Sequence, residues 1–356
     1  MVSLAEVLRQ YWPQYERRFG SALLPSHRRA VQAILSCRTS ALGGQVFRCA
    51  DCRRDHFVYH SCNHRACPQC GQADAAQWVQ QQKLKLLPIP YYLITFTVPE
   101  ALRSWLRSHQ KHGYALLLRE SAATLQDVAA RPKYLGAELG ILSVLHTWGR
   151  QLQFHPHVHC VLPAGGLRPD GLRWCRPPAT DFFLPQKVLA ARFRNRLKAA
   201  LSQAPDAVDI PVGVWRQEWV VDVQPAGSGQ TAIKYLAAYV YHTALGSQRI
   251  LNADHGRVTF KYKDSADQQW RVLLLSATEF LRRFLQHILP KGFQRVRYFG
   301  WLAPAAKARS QRILALLDWT PPPKQPLPAR PLPICPCCQN TLTLVGHFAR
   351  PPPRRP

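Results

Sequence analysis

Acidic residues are scarce in this chain: 20 Asp and Glu stand against 47 Lys and Arg, which leaves a formal charge of +27 with histidine neutral. The excess is spread through every segment, so its natural counterion is a polyphosphate, and the charge supplies steering and salt-dependent affinity for nucleic acid without setting chemistry. Long apolar runs are missing as well. The longest, near Val272 to Leu275, falls far short of the roughly 20 residues that span a bilayer. The opening stretch MVSLAEVLRQYW holds no apolar segment followed by a cleavage site, which excludes a secretory leader from the reading. These absences predict a soluble, cytoplasmic, DNA-associated protein with no membrane partner.

What the chain does have is 47% apolar residues over 356 positions, enough to bury a sizeable core divided among two or three units. Of its eleven cysteines, six lie between Cys37 and Cys70. A long chain without a leader does not use cysteine as a small secreted scaffold does, so the clustering points to metal.

Residues 1–40 read as helical, with an interruption at Pro13 because proline removes a backbone donor. GQVFRC and HFVYHSC then read as short strands among cysteines and histidines. A helix ending at Pro88, a buried strand YYLITFTV and a long helical stretch from Glu100 to Ala130 follow. ELGILSVLHTW and QLQFHPHVHCVL pair as two strands, after which come a helix near Lys187 to Ser202 and a strand EWVVDV. The helix TAIKYLAAYVYH opens at the Gly227 to Gly229 turn, RVTFKY is a strand, and helix, strand and helix run from Ser276 to Leu317. Seven prolines between Pro321 and Pro333 make an extended linker ahead of CPCC and a basic, disordered tail. The resulting division is 1–88, a helical and zinc-binding module; 89–275, a catalytic α+β domain; 276–320, an α/β extension; and 321–356, linker and tail.

Cys49-x2-Cys52 and Cys67-x2-Cys70, separated by fourteen residues, have the spacing with which two tight turns close a tetrahedral zinc site of structural type. His56, His60, Cys62 and His64 lie between the pairs as spare ligands or DNA contacts. Cys335, Cys337 and Cys338 hold one more CxxC with no second pair after it. In HPHVHC, His155, His157 and His159 occupy alternate positions, which in a strand point to one face about 6–7 Å apart. Three imidazoles in register within an apolar strand fit a metal ion that grips a phosphate oxygen.

Tyr235 and Tyr239 are four apart, so on a helix they stack on one face while Tyr241 projects elsewhere. Such a pair is commonly packing. A phenol with an ordinary pKa near 10 needs a polarised phosphate and nearby cations to act as a nucleophile; Lys234, Lys261 and Lys263 are the candidates here.

The ordered set TWGRQLQFHPHVHCVLPAGG, KYLAAYVYH and GRVTFKYKD, preceded by CADC and SCNHRACPQC, resembles the HUH-superfamily insertion-sequence transposases of the two-tyrosine, rolling-circle type over about Ser26 to Leu317. The resemblance puts the family's His-hydrophobic-His pair on His157, Val158 and His159, and its nucleophiles on Tyr235 and Tyr239. It implies an HUH endonuclease core with a ferredoxin-like, central antiparallel sheet, Mg or Mn at the histidines, and zinc in the cysteine module. It also implies single-stranded or hairpin DNA at transposon ends as substrate, target DNA as partner, and a 5′-phosphotyrosine with a free 3′-hydroxyl as intermediate. The chain departs from the pattern in its incomplete C-terminal cysteine ribbon and in the third hydroxyl of Tyr241. Competing readings are a non-catalytic zinc-dependent DNA binder, or inactive transposase, and a zinc hydrolase, against which the lack of an acidic residue near HPHVH counts. The oligomeric state is left open.

Overall fold

The computed structural model describes residues 2–179, 183–203, 210–241, 244–264, 266–324, 326 and 332–350, with the side chains at 72, 73, 238, 239 and 247 outside the description. The chain forms two compact units, each assembled from separated stretches. One comprises Trp78–Val240 and Leu289–Lys324; the other comprises Met1–Gln77, Tyr241–Ile288 and Gln325–Pro356.

The first unit is built on a five-stranded sheet in the spatial order Val296–Gly300, Gly140–Trp148, Phe154–Pro163, Tyr91–Thr97, Val221–Pro225, every neighbouring pair antiparallel. β-branched and aromatic residues dominate these strands, which suits a pleated surface buried on at least one side. Because side chains alternate, Ile94, Phe96, Leu145, Val158, Cys160 and Leu162 all point to one face and enter the core. There they meet Leu117 and Leu125 of the helix Gln110–Ala129 and Phe193 and Leu197 of the helix Gln186–Leu201, with Phe96 and Phe193 edge to face at 4.8 Å. The positions between them, including Thr95, His146, His157 and His159, therefore share the opposite face. The α+β class and the central antiparallel sheet stand as the resemblance implied.

The second unit holds the helices Leu4–Phe19 and Pro25–Ser36 and two three-stranded sheets. One sheet has Gly44–Cys49 between Asp55–Tyr59 and Leu342–Phe348; the other has Arg257–Lys263 between Ile250–Asp254 and Trp270–Ser276. The helix Ala277–Leu285 buries Phe280 against Phe260, ring centroids 5.9 Å apart, and packs on the helix Leu4–Phe19.

Several expectations are corrected. The helix Leu4–Phe19 runs through Pro13 without a break. Pro13 is on the exposed side, while Leu4, Leu8, Trp12 and Tyr15 are buried and outweigh the lost hydrogen bond. The helix expected to reach Pro88 ends at Lys83, and the one expected over 100–130 is two, divided at His109. The linear boundaries at 88, 275 and 320 differ from the division in space. RVTFKY does not join the catalytic sheet but lies in the second unit, whereas the strand Val296–Gly300 of the expected extension is an edge of the central sheet. The stretch read as a tail after CPCC forms the strand Leu342–Phe348; residues 351–356 lie outside the described residues, as does part of the proline-rich linker. Among the described residues no helix is long and apolar enough to cross a membrane.

The packing at Gly140 yields a test. A Cβ there would lie 2.5 Å from the buried Trp301 ring, so Gly140→Ala is expected to lower the urea midpoint, followed by tryptophan fluorescence, by the equivalent of about 1–3 kcal/mol. An unchanged midpoint would mean that the ring turns aside at no cost.

Candidate active site and metal centres

The central strand Phe154–Pro163 carries His157 and His159 on the face away from the helical core, and the neighbouring strand Gly140–Trp148 sets His146 directly opposite His157. Ring nitrogens of His146, His157 and His159 all lie within 4.8 Å of one another, and the three residues are buried. His157 Nδ1 is 2.7 Å from the carbonyl oxygen of His155, which can only accept, so the proton sits on Nδ1 and Nε2 presents its lone pair. That Nε2 is 2.8 Å from His146 Nδ1. His159 Nδ1 is 3.0 Å from Thr95 Oγ1, directly across the next strand pair. The same transverse row continues from Thr95 to the half-buried Asp222.

Burial disfavours the charged imidazolium. It draws His159 down to about 4 and, aided by His159 and Arg103, holds His157 well below its usual range. At neutral pH both rings are uncharged and offer lone pairs, as a divalent cation requires; with His146 converging on the same point, the three imidazoles and the groups that hydrogen-bond them fit such an ion. His155, expected as the third member, is not one of the converging group. It lies half-buried, its ring 5.1 Å from that of His157, where the adjoining strand pair is irregular between His146 and Trp148. His146 takes the place expected of it. Arg103, on the helix Glu100–Ser108, brings a positive charge whose field reaches His155 and His157.

The tyrosine helix Gln230–Tyr241 follows the edge strand Val221–Pro225 through a turn in which Gly227 and Gly229 have φ of +55° and +78°. Glycine is needed twice over at 229, since a Cβ would also lie 2.8 Å from the Tyr91 ring. The helix buries Ile233 and Leu236 and leaves Tyr235 43% exposed, its ring edge-on to His159 with centroids 5.7 Å apart. Lys234 is exposed beside it. Tyr239 is one turn further along the backbone, but its side chain lies outside the described residues. Burial and the charge of Asp74 raise the Tyr241 phenol and so disfavour its phenolate. Lys261 and Lys263 belong to the three-stranded sheet of the second unit.

The cysteines sort differently from their sequence spacing. Cys67 and Cys70 join Cys37 and Cys62, while Cys49 and Cys52 join Cys335 and Cys338. The expected set of Cys49, Cys52, Cys67 and Cys70 is thus not brought together. Pairing of Gly44–Cys49 with Leu342–Phe348, with Cys49 opposite Leu342, carries the distal CxxC turn to the proximal one. Each of those turns is followed by a residue in the left-handed region, Arg53 at φ 53° and Gln339 at φ 62°. Sulfur separations of 3.6 and 3.7 Å in the first cluster and 3.3 and 3.7 Å in the second approach the roughly 3.8 Å edge of a tetrahedron with ~2.3 Å zinc–sulfur bonds. All eight thiols are free of disulfides. A hydrogen bond from Cys67 draws Cys62 down to about 5, and the backbone N–H of Cys338 draws Cys335 down to about 6, so each cluster holds a thiol poised as thiolate. His56 Nε2 approaches Cys335 Sγ at 3.4 Å, a supporting contact and not a fourth-ligand position. His64 accepts a hydrogen bond from the Ala66 N–H, and Cys337 is exposed.

His157 and His159 on the central strand and His146 on its neighbour thus converge beside Tyr235 of the adjoining helix, an arrangement suited to phosphodiester chemistry. Comparison with known proteins agrees: residues 140–311 match a family described as "Putative transposase", and residues 7–98 match one described as "Transposase zinc-binding domain". The chain is 36% identical to "Putative transposase y4qJ" of Sinorhizobium fredii, covering 88% of this chain and 83% of that protein. It is 30% identical to the transposase for insertion sequence element IS801 of Pseudomonas savastanoi pv. phaseolicola, covering 77% of this chain and 69% of that protein. No solved structure matches. The chain belongs to the HUH-superfamily insertion-sequence transposases of the two-tyrosine type, with an N-terminal zinc-binding domain. It is a transposase, and DNA is its substrate.

The sulfur geometry predicts two zinc ions per chain by elemental analysis. Cys37→Ser and Cys335→Ser are each expected to remove one. One zinc per chain, kept in both Cys37→Ser and Cys335→Ser and lost in Cys49→Ser, would reinstate the ligand set expected from spacing.

Proposed function

We propose that this transposase nicks and rejoins single-stranded or hairpin DNA at transposon ends through a covalent 5′-phosphotyrosine, with Tyr235 and Tyr239 as the nucleophiles. The observation that carries this reading is the approach of Tyr235 to His159, ring centroids 5.7 Å apart, on the solvent-accessible side of a buried imidazole triad. His146, His157 and His159 would hold Mg or Mn, which when bound supplies Lewis acidity to a phosphate oxygen and neutralises charge as it builds. The zinc ions of the two thiolate clusters are structural, held by Cys37, Cys62, Cys67 and Cys70 and by Cys49, Cys52, Cys335 and Cys338.

The residues of the chain supply the rest. Tyr235 gives up its proton, its oxygen bonds to phosphorus, and the bond from phosphorus to the 3′-oxygen breaks, that oxygen taking up a proton. One phosphodiester replaces another, so a 3′-hydroxyl can reverse the step without an external energy source. Among the described residues, Arg103, whose charge reaches His155 and His157, and Lys234, exposed next to Tyr235 on the helix, are cations that would assist. The Nδ1–H of His157 bound to the His155 carbonyl and the contact of His159 with Thr95 keep both rings in fixed orientations. Tyr239 offers a second phosphotyrosine bond, so that two DNA ends can be held during exchange.

Incubation of the protein and Mg or Mn with end-labelled single-stranded DNA bearing the element ends is expected to yield label that migrates with protein. Tyr235→Phe or Tyr239→Phe should reduce the trapped product and the double change should abolish it. His146→Ala should lower cleavage at least about a hundredfold, in keeping with the loss of several kcal/mol of charge stabilisation. Cleavage that survives the double tyrosine change would mean that water is the nucleophile, and no cleavage with any metal would leave a DNA-binding protein without chemistry.

A further inference from the structure

The three-stranded sheet of Ile250–Asp254, Arg257–Lys263 and Trp270–Ser276 has two unlike faces. Val258, Phe260 and Tyr262 point inward and are buried, Phe260 against Phe280. The alternate positions point outward, and on the last strand Trp270, Val272 and Leu274 are 58%, 61% and 51% exposed. Isolated apolar side chains on a surface are ordinary; three in a row on one strand mark a surface that is used. The register places Lys263 opposite Trp270, Lys261 opposite Val272, Thr259 opposite Leu274 and Arg257 opposite Ser276. Lys261 Nζ lies 5.4 Å from the centroid of the Trp270 ring. On the remaining strand Asn252 pairs with Thr259 and Asp254 with Arg257, so the acidic side chain sits at the end of the face away from Trp270.

Apolar and aromatic side chains alone would suit a protein partner. Here each outward apolar position from Trp270 to Val272 has a lysine directly across from it, in a chain of charge +27. That charge pattern complements a polyanion, while an indole flanked by an ammonium suits a flat π-system. Paired bases already stack on one another and keep their faces covered, so the Trp270 ring is useful to unpaired bases alone.

We propose that this outer face is a stacking platform for single-stranded DNA, Trp270 receiving the face of a base, Val272 and Leu274 covering the adjoining base and sugar, and Lys261, Lys263 and Arg257 neutralising phosphates. The identity of the ligand rests on the action on single-stranded DNA proposed above, but the residues are separate from those of the histidine face. It gives GRVTFKYKD a part in the protein that the cleavage chemistry does not.

The test is binding of a fluorescent oligothymidylate to the full chain by anisotropy, with a duplex of equal length as comparison. Trp270→Ala should weaken oligothymidylate binding between about fivefold and a hundredfold, the loss of one base–aromatic stack. Trp270→Phe should restore most of it, and duplex binding should be unchanged. The double change Lys261→Gln with Lys263→Gln should weaken binding and flatten its dependence on salt. Unaltered oligothymidylate affinity in Trp270→Ala, or equal losses on single strand and duplex, would overturn the platform. Wild type that binds oligothymidylate through Trp270 yet traps no DNA covalently would remove the phosphotyrosine chemistry and leave the platform standing. Covalent trapping with binding indifferent to Trp270 would do the reverse.

Discussion

Three buried imidazoles held side by side and facing one way are the constraint around which the first unit is organised. The alternation of a β-strand puts His157 and His159 on one face, and antiparallel register brings His146 opposite His157. The other face of the same strands carries Val158, Cys160 and Leu162 into the core. Pulling the histidines into solvent would therefore mean pulling that core apart, and this coupling keeps the rings buried and holds His157 and His159 uncharged. The hydrogen bond of His157 to the His155 carbonyl then decides which nitrogen carries the proton. Next to this rigid face, the glycine turn at 227–229 folds the tyrosine helix back from the edge strand.

The second unit solves a different problem. It is gathered from three stretches of chain, and its sheet of Gly44–Cys49, Asp55–Tyr59 and Leu342–Phe348 is too small to carry a large core: the side chains buried together there are few beyond Phe47 and Leu342. Sulfur clusters take over the role of that core. Cys49 and Cys52 with Cys335 and Cys338 tie the two ends of the chain to each other across the sheet, and Cys37, Cys62, Cys67 and Cys70 tie a helix end to the turn ahead of the next helix. Closing such long loops through metal–thiolate bonds is effective because loop entropy grows only slowly with length.

Much of the site was legible from local pattern. The His-x-His repeat in an apolar strand and the Tyr-x3-Tyr repeat after a glycine turn depend on the fixed periods of strand and helix, and the structure puts His157, His159 and Tyr235 together. His146 was not legible, since a single histidine in HTW carries no period; only register with the next strand makes it a partner of His157. His155 misled for the complementary reason: alternation was extended past the point where the strand pair becomes irregular. The cysteines misled because proximity along the chain was taken for proximity in space. TLTLVGHF, with its β-branched residues, was the available sign that the C-terminal CxxC belonged to a strand-bearing segment and not to a tail.

The sequence by itself determined what is set by neighbours a few residues apart: most of the strands and helices, the alternating histidines, the thiol-rich turns and the charge that calls for nucleic acid. Tertiary structure decided which histidine completes the triad, which cysteines share a cluster, and that RVTFKY leaves the catalytic sheet for another. Local periodicity is dictated by backbone geometry at each residue, whereas partnership across strands depends on register between separate segments, eleven residues apart for His146 and His157 and 289 for Cys49 and Cys338, which no local pattern encodes.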